Sequence, residues 1–94
     1  MSTVFAVEYQ YVTDRDQDLD RIRPSHRAFN AALAQAGDLL AAGPYVGTHE
    51  ALILVRARDE AAALALLEED PFNQAGLIAR RTPREWNPVI GVLA

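Results

Sequence analysis

With 94 residues, 50% of them hydrophobic and 23% charged, the chain has the composition of one ordinary folded domain. It is short enough to bury only about 60 to 65% of its unfolded surface, so association with a partner would add to a marginal stability. A formal net charge of −4 with only nine Lys and Arg residues argues against nucleic acid, and the lack of cysteine removes disulfides, thiolate chemistry and sulfur-ligated zinc.

The start, Met1-Ser2-Thr3-Val4, carries neither a positive region nor a long apolar one, and no later stretch is apolar for long enough to span a bilayer. No membrane association is expected, and cytoplasmic residence is the default. Residues 1–94 are read as a single domain. Thr3 to Val12 alternates Phe5, Val7, Tyr9 and Tyr11 against a second set of residues, which predicts a first strand. Thr13 to Asp20 is polar without a regular apolar period and reads as a loop, with Asp20 available to cap the next helix. That helix is predicted to run to about Ala36, its inward stripe formed by Ile22, Phe29, Leu33 and Ala36, with Pro24 in its first turn. Gly37 ends it, and Asp38 to Ala42 leads as a short second strand toward Gly43-Pro44.

Tyr45 to Glu50, with Gly47 and Thr48, reads as a hairpin connection. Ala51 to Ala57 is apolar on both faces, which predicts a central strand. Asp59 caps a second helix through Ala61 to Leu67, expected to stop at Asp70 because Pro71 disfavours helical geometry in the residue before it. Pro71 to Gly76 reads as a turn, and Leu77 begins a last strand. Pro83 has no N–H for a ladder, so that strand is expected at a sheet edge or bulged near Pro83, with Trp86 to Val92 as a further extended or docking segment.

Two polar residues interrupt the apolar stripes. His26 falls four residues after Ile22 and three before Phe29, and Asp70 shares a helical face with Leu67, Leu66 and Ala63. On these boundaries His26 lies near the positive end of its helix and Asp70 at the negative end of the other, each at the pole that disfavours its charged form. The order strand, helix, strand, strand, helix, strand is the ferredoxin-like α+β pattern, βαββαβ, with both helices on one face of an antiparallel sheet. In that topology the start of the first helix and the end of the second share one rim, which brings His26 and Asp70 together. Nothing in the chain shields the other sheet face, yet the central strand offers Leu52 and Leu54 on one side and Ile53 and Val55 on the other, which points to a homodimer formed through sheet faces.

Arg23-x-x-His26, the step Ala42-Gly43-Pro44, and Asp70-Pro71-Phe72 followed by Ala75-Gly76-Leu77 resemble, in order and separation, the YciI-like family of small dimeric α+β barrel proteins. The likeness spans nearly the whole chain. It implies a homodimeric ferredoxin-like fold and a His and Asp dyad that maps onto His26 and Asp70. Among the proteins it implies kinship with is a dehydrochlorinase acting on a chlorinated hydroxyhydroquinone, and related barrels include muconolactone isomerases. Pro83 departs from the pattern and puts the register of the last strand in question.

The functional expectation is a small-molecule enzyme of lyase, isomerase or dehydrochlorinase type, independent of cofactor and metal. His26 would be its general acid or base and Asp70 would fix the imidazole tautomer. Arg23, with its fork of donors, is the candidate for a substrate carboxylate or phenolate, and Tyr9, Pro44 and Phe72 are the candidates for further substrate contact, with Tyr45 and Trp86 as other possible pocket residues. A structural reading stands beside this one, since a histidine and an aspartate can close two chain segments by hydrogen bonding alone. It corresponds to a non-catalytic dimeric module that binds a metabolite or a protein. Ser25 is adjacent to His26 and points elsewhere on a helix, which argues against a Ser, His, Asp triad, and His49 lacks neighbouring ligands for a metal.

Overall fold

A computed structural model describes residues 3–94. Its elements in chain order are β1 (Thr3–Tyr11), α1 (Asp16–Gln35), β2 (Leu39–Pro44), β3 (Glu50–Ala57), α2 (Glu60–Leu66), α3 (Pro71–Gln74) and β4 (Ile78–Trp86). The strands form one sheet in the order β2-β3-β1-β4, antiparallel throughout, which is the ferredoxin-like α+β arrangement. Strand alternation supplies the core. Phe5, Val7 and Tyr9 of β1 and Ala51, Ile53, Val55 and Ala57 of β3 point to the helix side, where they meet Phe29 and Leu33 of α1 and Ala63 and Leu67 from α2 and its C-cap. β3 lies inside the sheet, as its two apolar faces require.

The first helix begins earlier than its apolar pattern indicates. Asp16 and Asp18 occupy the first turn, where acids favour the helix dipole, and Asp18 accepts from both Arg15 at 2.6 Å and Arg21 at 3.0 Å. Asp20 is therefore not a cap, and Pro24 sits more than two turns inside the helix. The N–H that Pro24 lacks would have gone to the carbonyl of Asp20, an exposed residue that water can serve instead. His26 is consequently a mid-helix residue, so the dipole argument placing it at a positive end does not hold.

The second helix stops at Leu66, and Asp70 is not at its negative end. Instead Asp70 is the N-cap of α3, which replaces the turn expected over Pro71 to Gly76. Pro71 suits the first position of that helix, and Gly76, with φ of 72°, takes the left-handed conformation that turns the chain into β4. Gly37, with φ of 86°, does the same after α1. β4 is the edge strand that Pro83 demands. Its register with β1 runs unbroken through Val7 opposite Pro83, and the irregularity lies between Gln10 and Tyr11. An edge strand turns every second N–H away from its neighbour, which is where proline does no harm. Trp86 is the last residue of β4 and not part of the segment beyond it.

Leu67 is fully buried between α2 and the sheet, whereas Asp59 accepts from the Ala62 N–H at 2.8 Å in an exposed cap. In urea denaturation Leu67→Ala is expected to cost about 3 kcal/mol, and Asp59→Ala about 1 kcal/mol.

Candidate functional site

His26 and Asp70, 44 positions apart in sequence, meet beside α3. Nδ1 of His26 lies 2.8 Å and 2.9 Å from the two carboxylate oxygens of Asp70, and Oδ1 of Asp70 also accepts from the Phe72 N–H at 2.9 Å. The carboxylate has no exposure to solvent. A carboxylate only accepts, so Nδ1 carries the hydrogen and the neutral ring is left with its lone pair on Nε2. Nδ2 of Asn30, one helical turn on, approaches that nitrogen at 3.4 Å, which suits the same tautomer. Phe72 stacks on the imidazole with ring centroids 4.1 Å apart and planes 16° from parallel, and Tyr11 meets Phe72 edge-on at 5.3 Å. The imidazole is thus held at one edge by a carboxylate and at one face by a ring.

Two cavities border His26. One, of about 420 Å³, lies between α1 and β2 and is bounded by Tyr11, Arg27, Asn30, Gly43 and Pro44 among others. The second, of about 140 Å³, shares Tyr11, His26, Arg27 and Pro44 and adds Arg23, Thr48 and Phe72. The larger opens because the residues around it are small: Ala31 and Ala34 on α1 face Ala42, Gly43 and Pro44 on β2. Arg23, Pro44 and Phe72, singled out as substrate contacts, are all on these walls, although Arg23 is already bonded to Asp20 at 2.6 Å. Tyr9 is not. It is sealed in the core with its hydroxyl unpartnered, and Tyr11, two residues further along the same face of β1, occupies the place at the cleft. Tyr45 and Trp86 are 41% and 43% exposed and line neither cavity. His49 pairs with Asp16 at 2.9 Å, and among the described residues no group of three His, Cys, Asp or Glu side chains could hold a metal.

Tyr11, Arg27 and Asn30 are the cleft residues that pattern reading passed over. Asn30 was the most accessible of them, because it follows His26 by one turn as a second polar residue on the side of the helix that is buried. Burial, and next the charge of Asp70, push the Tyr11 phenol up to about 12 against a smaller opposing pull from Arg23, so it stays a hydrogen-bond donor at neutral pH. Tyr9 is shifted upward for the same two leading reasons.

Residues 3–87 match the model of the YCII-related domain. The chain belongs to this family. No curated protein sequence matches it. Among solved structures it is similar to the 5-chloro-2-hydroxyhydroquinone dehydrochlorinase of Burkholderia phenoliruptrix AC1100, in complex with 2,5-dihydroxybenzoquinone, with a TM-score of 0.77 and 19% identity over 89% of this chain and 93% of that one. It is also similar to a NIPSNAP family protein of Agrobacterium tumefaciens strain C58, with a TM-score of 0.59 and 18% identity over 95% and 94% of the two chains. Both share the α+β fold of this member of the YCII-related family.

A phenol that holds its proton more tightly in the folded chain than in the unfolded one stabilises the fold below its ordinary value of 10.0 and loses that contribution as pH rises toward about 12. Tyr9 adds to the same trend. Unfolding free energies measured by urea titration at increasing pH are therefore expected to fall across this window, and to fall less steeply in Tyr11→Phe.

Proposed function

We propose that this chain is a small-molecule enzyme that moves a proton on a cyclic or enolisable substrate, by elimination or isomerisation, with His26 as acid or base and Asp70 as its orienting partner. The observation that carries this reading is the sealed contact between Nδ1 and the Asp70 carboxylate beside the α1/β2 cavity. With Nδ1 committed, Nε2, approached only by the Asn30 amide at 3.4 Å, is the nitrogen that takes a proton from a ligand in place of that long contact and returns it elsewhere, and the buried carboxylate stabilises the imidazolium in between. Phe72 keeps the ring from rotating out of line. The similar dehydrochlorinase, whose structure holds a dihydroxyquinone, supports a substrate of comparable size. Arg23, Pro44 and Phe72 supply contacts along the walls of the cleft.

The homodimer belongs to the same proposal. Leu52 is half-buried on the sheet face away from the helices, and Trp86 at the end of β4 and Val89, Ile90 and Val92 beyond it are exposed, apolar surface that a second copy would cover. Light scattering is expected to give twice the chain mass of 10.3 kDa.

The decisive assay offers chlorinated hydroxyhydroquinones and small lactones, followed by chloride release and absorbance. His26→Gln and Asp70→Asn are expected to lower kcat by roughly a hundredfold to ten-thousandfold while ligand affinity holds. Ligand binding that persists in a wild-type chain with no turnover of any substrate class would favour the binding module instead.

A further inference from the structure

The walls of the two cavities beside His26 have a charge that the chain as a whole does not predict. The protein carries 13 acidic against nine basic residues. Three other surface hollows each have carboxylates on their walls: Glu68 and Glu69 in one, Asp38 in another, Glu8 and Glu50 in a third. The cavities beside His26 have none; their charged and polar side chains are Arg23, His26, Arg27, Asn30, Tyr11 and Thr48. Two acids touch wall residues from behind: Asp20 is bonded to Arg23 at 2.6 Å, and Asp70 is sealed behind the imidazole with both oxygens engaged, so it cannot touch a ligand.

These donors are ordered along the helix. Arg23, His26, Arg27, Asn30, Ala31 and Ala34 follow one another at three-residue and one-residue steps, a single stripe of α1 that is cationic toward its N-terminal half and bare methyl toward its C-terminal half. From Arg27 to Ala34 the stripe covers roughly 10 Å. Across from the methyl end stand Leu39, Ala51 and Ile53. Within the cationic half Arg23 is committed to Asp20, while Arg27 makes no ion pair among the described residues and borders both cavities. The Tyr11 hydroxyl is likewise without a hydrogen-bond partner there, and unlike that of Tyr9 it is not sealed from solvent.

Resting on the same cleft as the proposed function, we infer that its ligand is a compact amphipathic organic monoanion. Its oxyanion, a carboxylate or phenolate, binds Arg27 and the Tyr11 hydroxyl, and its apolar body lies toward Ala31 and Ala34. Arg27, and not Arg23, is the anchoring cation. The wall brings no carboxylate into contact with the anion, the charge of Asp70 that reaches Tyr11 from behind the imidazole is opposed there by Arg23, and a guanidinium without an intramolecular partner gives up no ion pair to bind it.

The test is binding, so it does not depend on turnover. Benzoate and its neutral isostere benzamide are titrated into the intact protein near neutral pH and followed by amide shifts in ¹H–¹⁵N spectra. Benzoate is expected to saturate with shifts at Ala31, Ala34 and Gly43, and benzamide to bind roughly tenfold or more weakly. Arg27→Gln should weaken benzoate by a similar factor and abolish the preference over benzamide, with Arg27→Lys restoring part of it. Arg23→Gln should cost less than Arg27→Gln. Arg21→Gln, which removes the same charge from outside the cleft, should change nothing. Equal binding of the two probes, benzoate binding by Arg27→Gln as tight as wild type, or failure of benzoate to shift the cleft amides would overturn the inference. Loss of turnover with benzoate selectivity intact in His26→Gln would bear on catalysis alone, so the two proposals fail separately.

Discussion

A carboxylate with no access to water must be satisfied wholly by the protein around it, and Asp70 sets the geometry of everything near it. Removing an unpaired charge of this kind from solvent costs several kcal/mol even after relaxation, on the order of half the stability of a small domain. The cost is offset by two donors of different origin. The Phe72 N–H comes from the backbone two residues on, which fixes where α3 begins, and Nδ1 of His26 comes from the middle of α1, which fixes how α1 lies against α3. The Phe72 side chain, positioned by the same turn, then stacks on the imidazole it helps to orient. One buried charge therefore determines a helix start, a helix packing and a ring tautomer.

The pairing of His26 with Asp70 was expected from the order of the elements and from the family resemblance, and the strand plan was legible in the sequence because it rests on periodicity, which tertiary structure rarely overrides when one face of an element is buried. The helix ends were not. Pro24 is a strong signal for a first turn, and it misleads here because Asp16 and Asp18 extend α1 in the N-terminal direction through polar residues that carry no apolar period. At the other boundary the rule that a residue before proline avoids helical geometry was sound, since Asp70 has φ of −52° and ψ of 127°. What sequence could not show is that the chain restarts as a helix immediately afterwards, turning Asp70 from a helix end into a cap. The dipole reasoning attached to both residues was thereby wrong, and so was the premise that two helix ends meet, while the contact itself is present, made between the middle of α1 and the cap of α3.

Tyr9 and Tyr11 show a finer limit of the same kind. Both lie on the helix-facing side of β1, and period two does not distinguish them. The difference comes from their neighbours in the sheet. Tyr9 is flanked by Ala51 of β3 and Arg81 of β4 in the middle of the ladder, whereas Tyr11 lies past the register shift at Gln10, where strand pairing loosens. Irregularities of this sort re-aim side chains at sheet ends. The aromatic residue at the cleft is the one beyond the shift, and nothing local in Thr3 to Tyr11 announces it.

The cleft itself is a consequence of what is missing. Where α1 crosses β2 the facing positions are Ala31, Ala34, Ala42 and Gly43, and larger residues there would close the gap against the sheet and bury His26 entirely. A domain this small would gain stability from such filling, since every apolar side chain moved into contact adds to the little core it has. Leaving the space open beside an imidazole whose tautomer is set by a buried carboxylate runs against that gain, and it is the kind of local conflict with foldability that marks a site kept for a ligand. The shared fold supplies the rim where such a site can form; on the reading proposed above, the choice of ligand falls to the few side chains along one stripe of α1 and the end of β1.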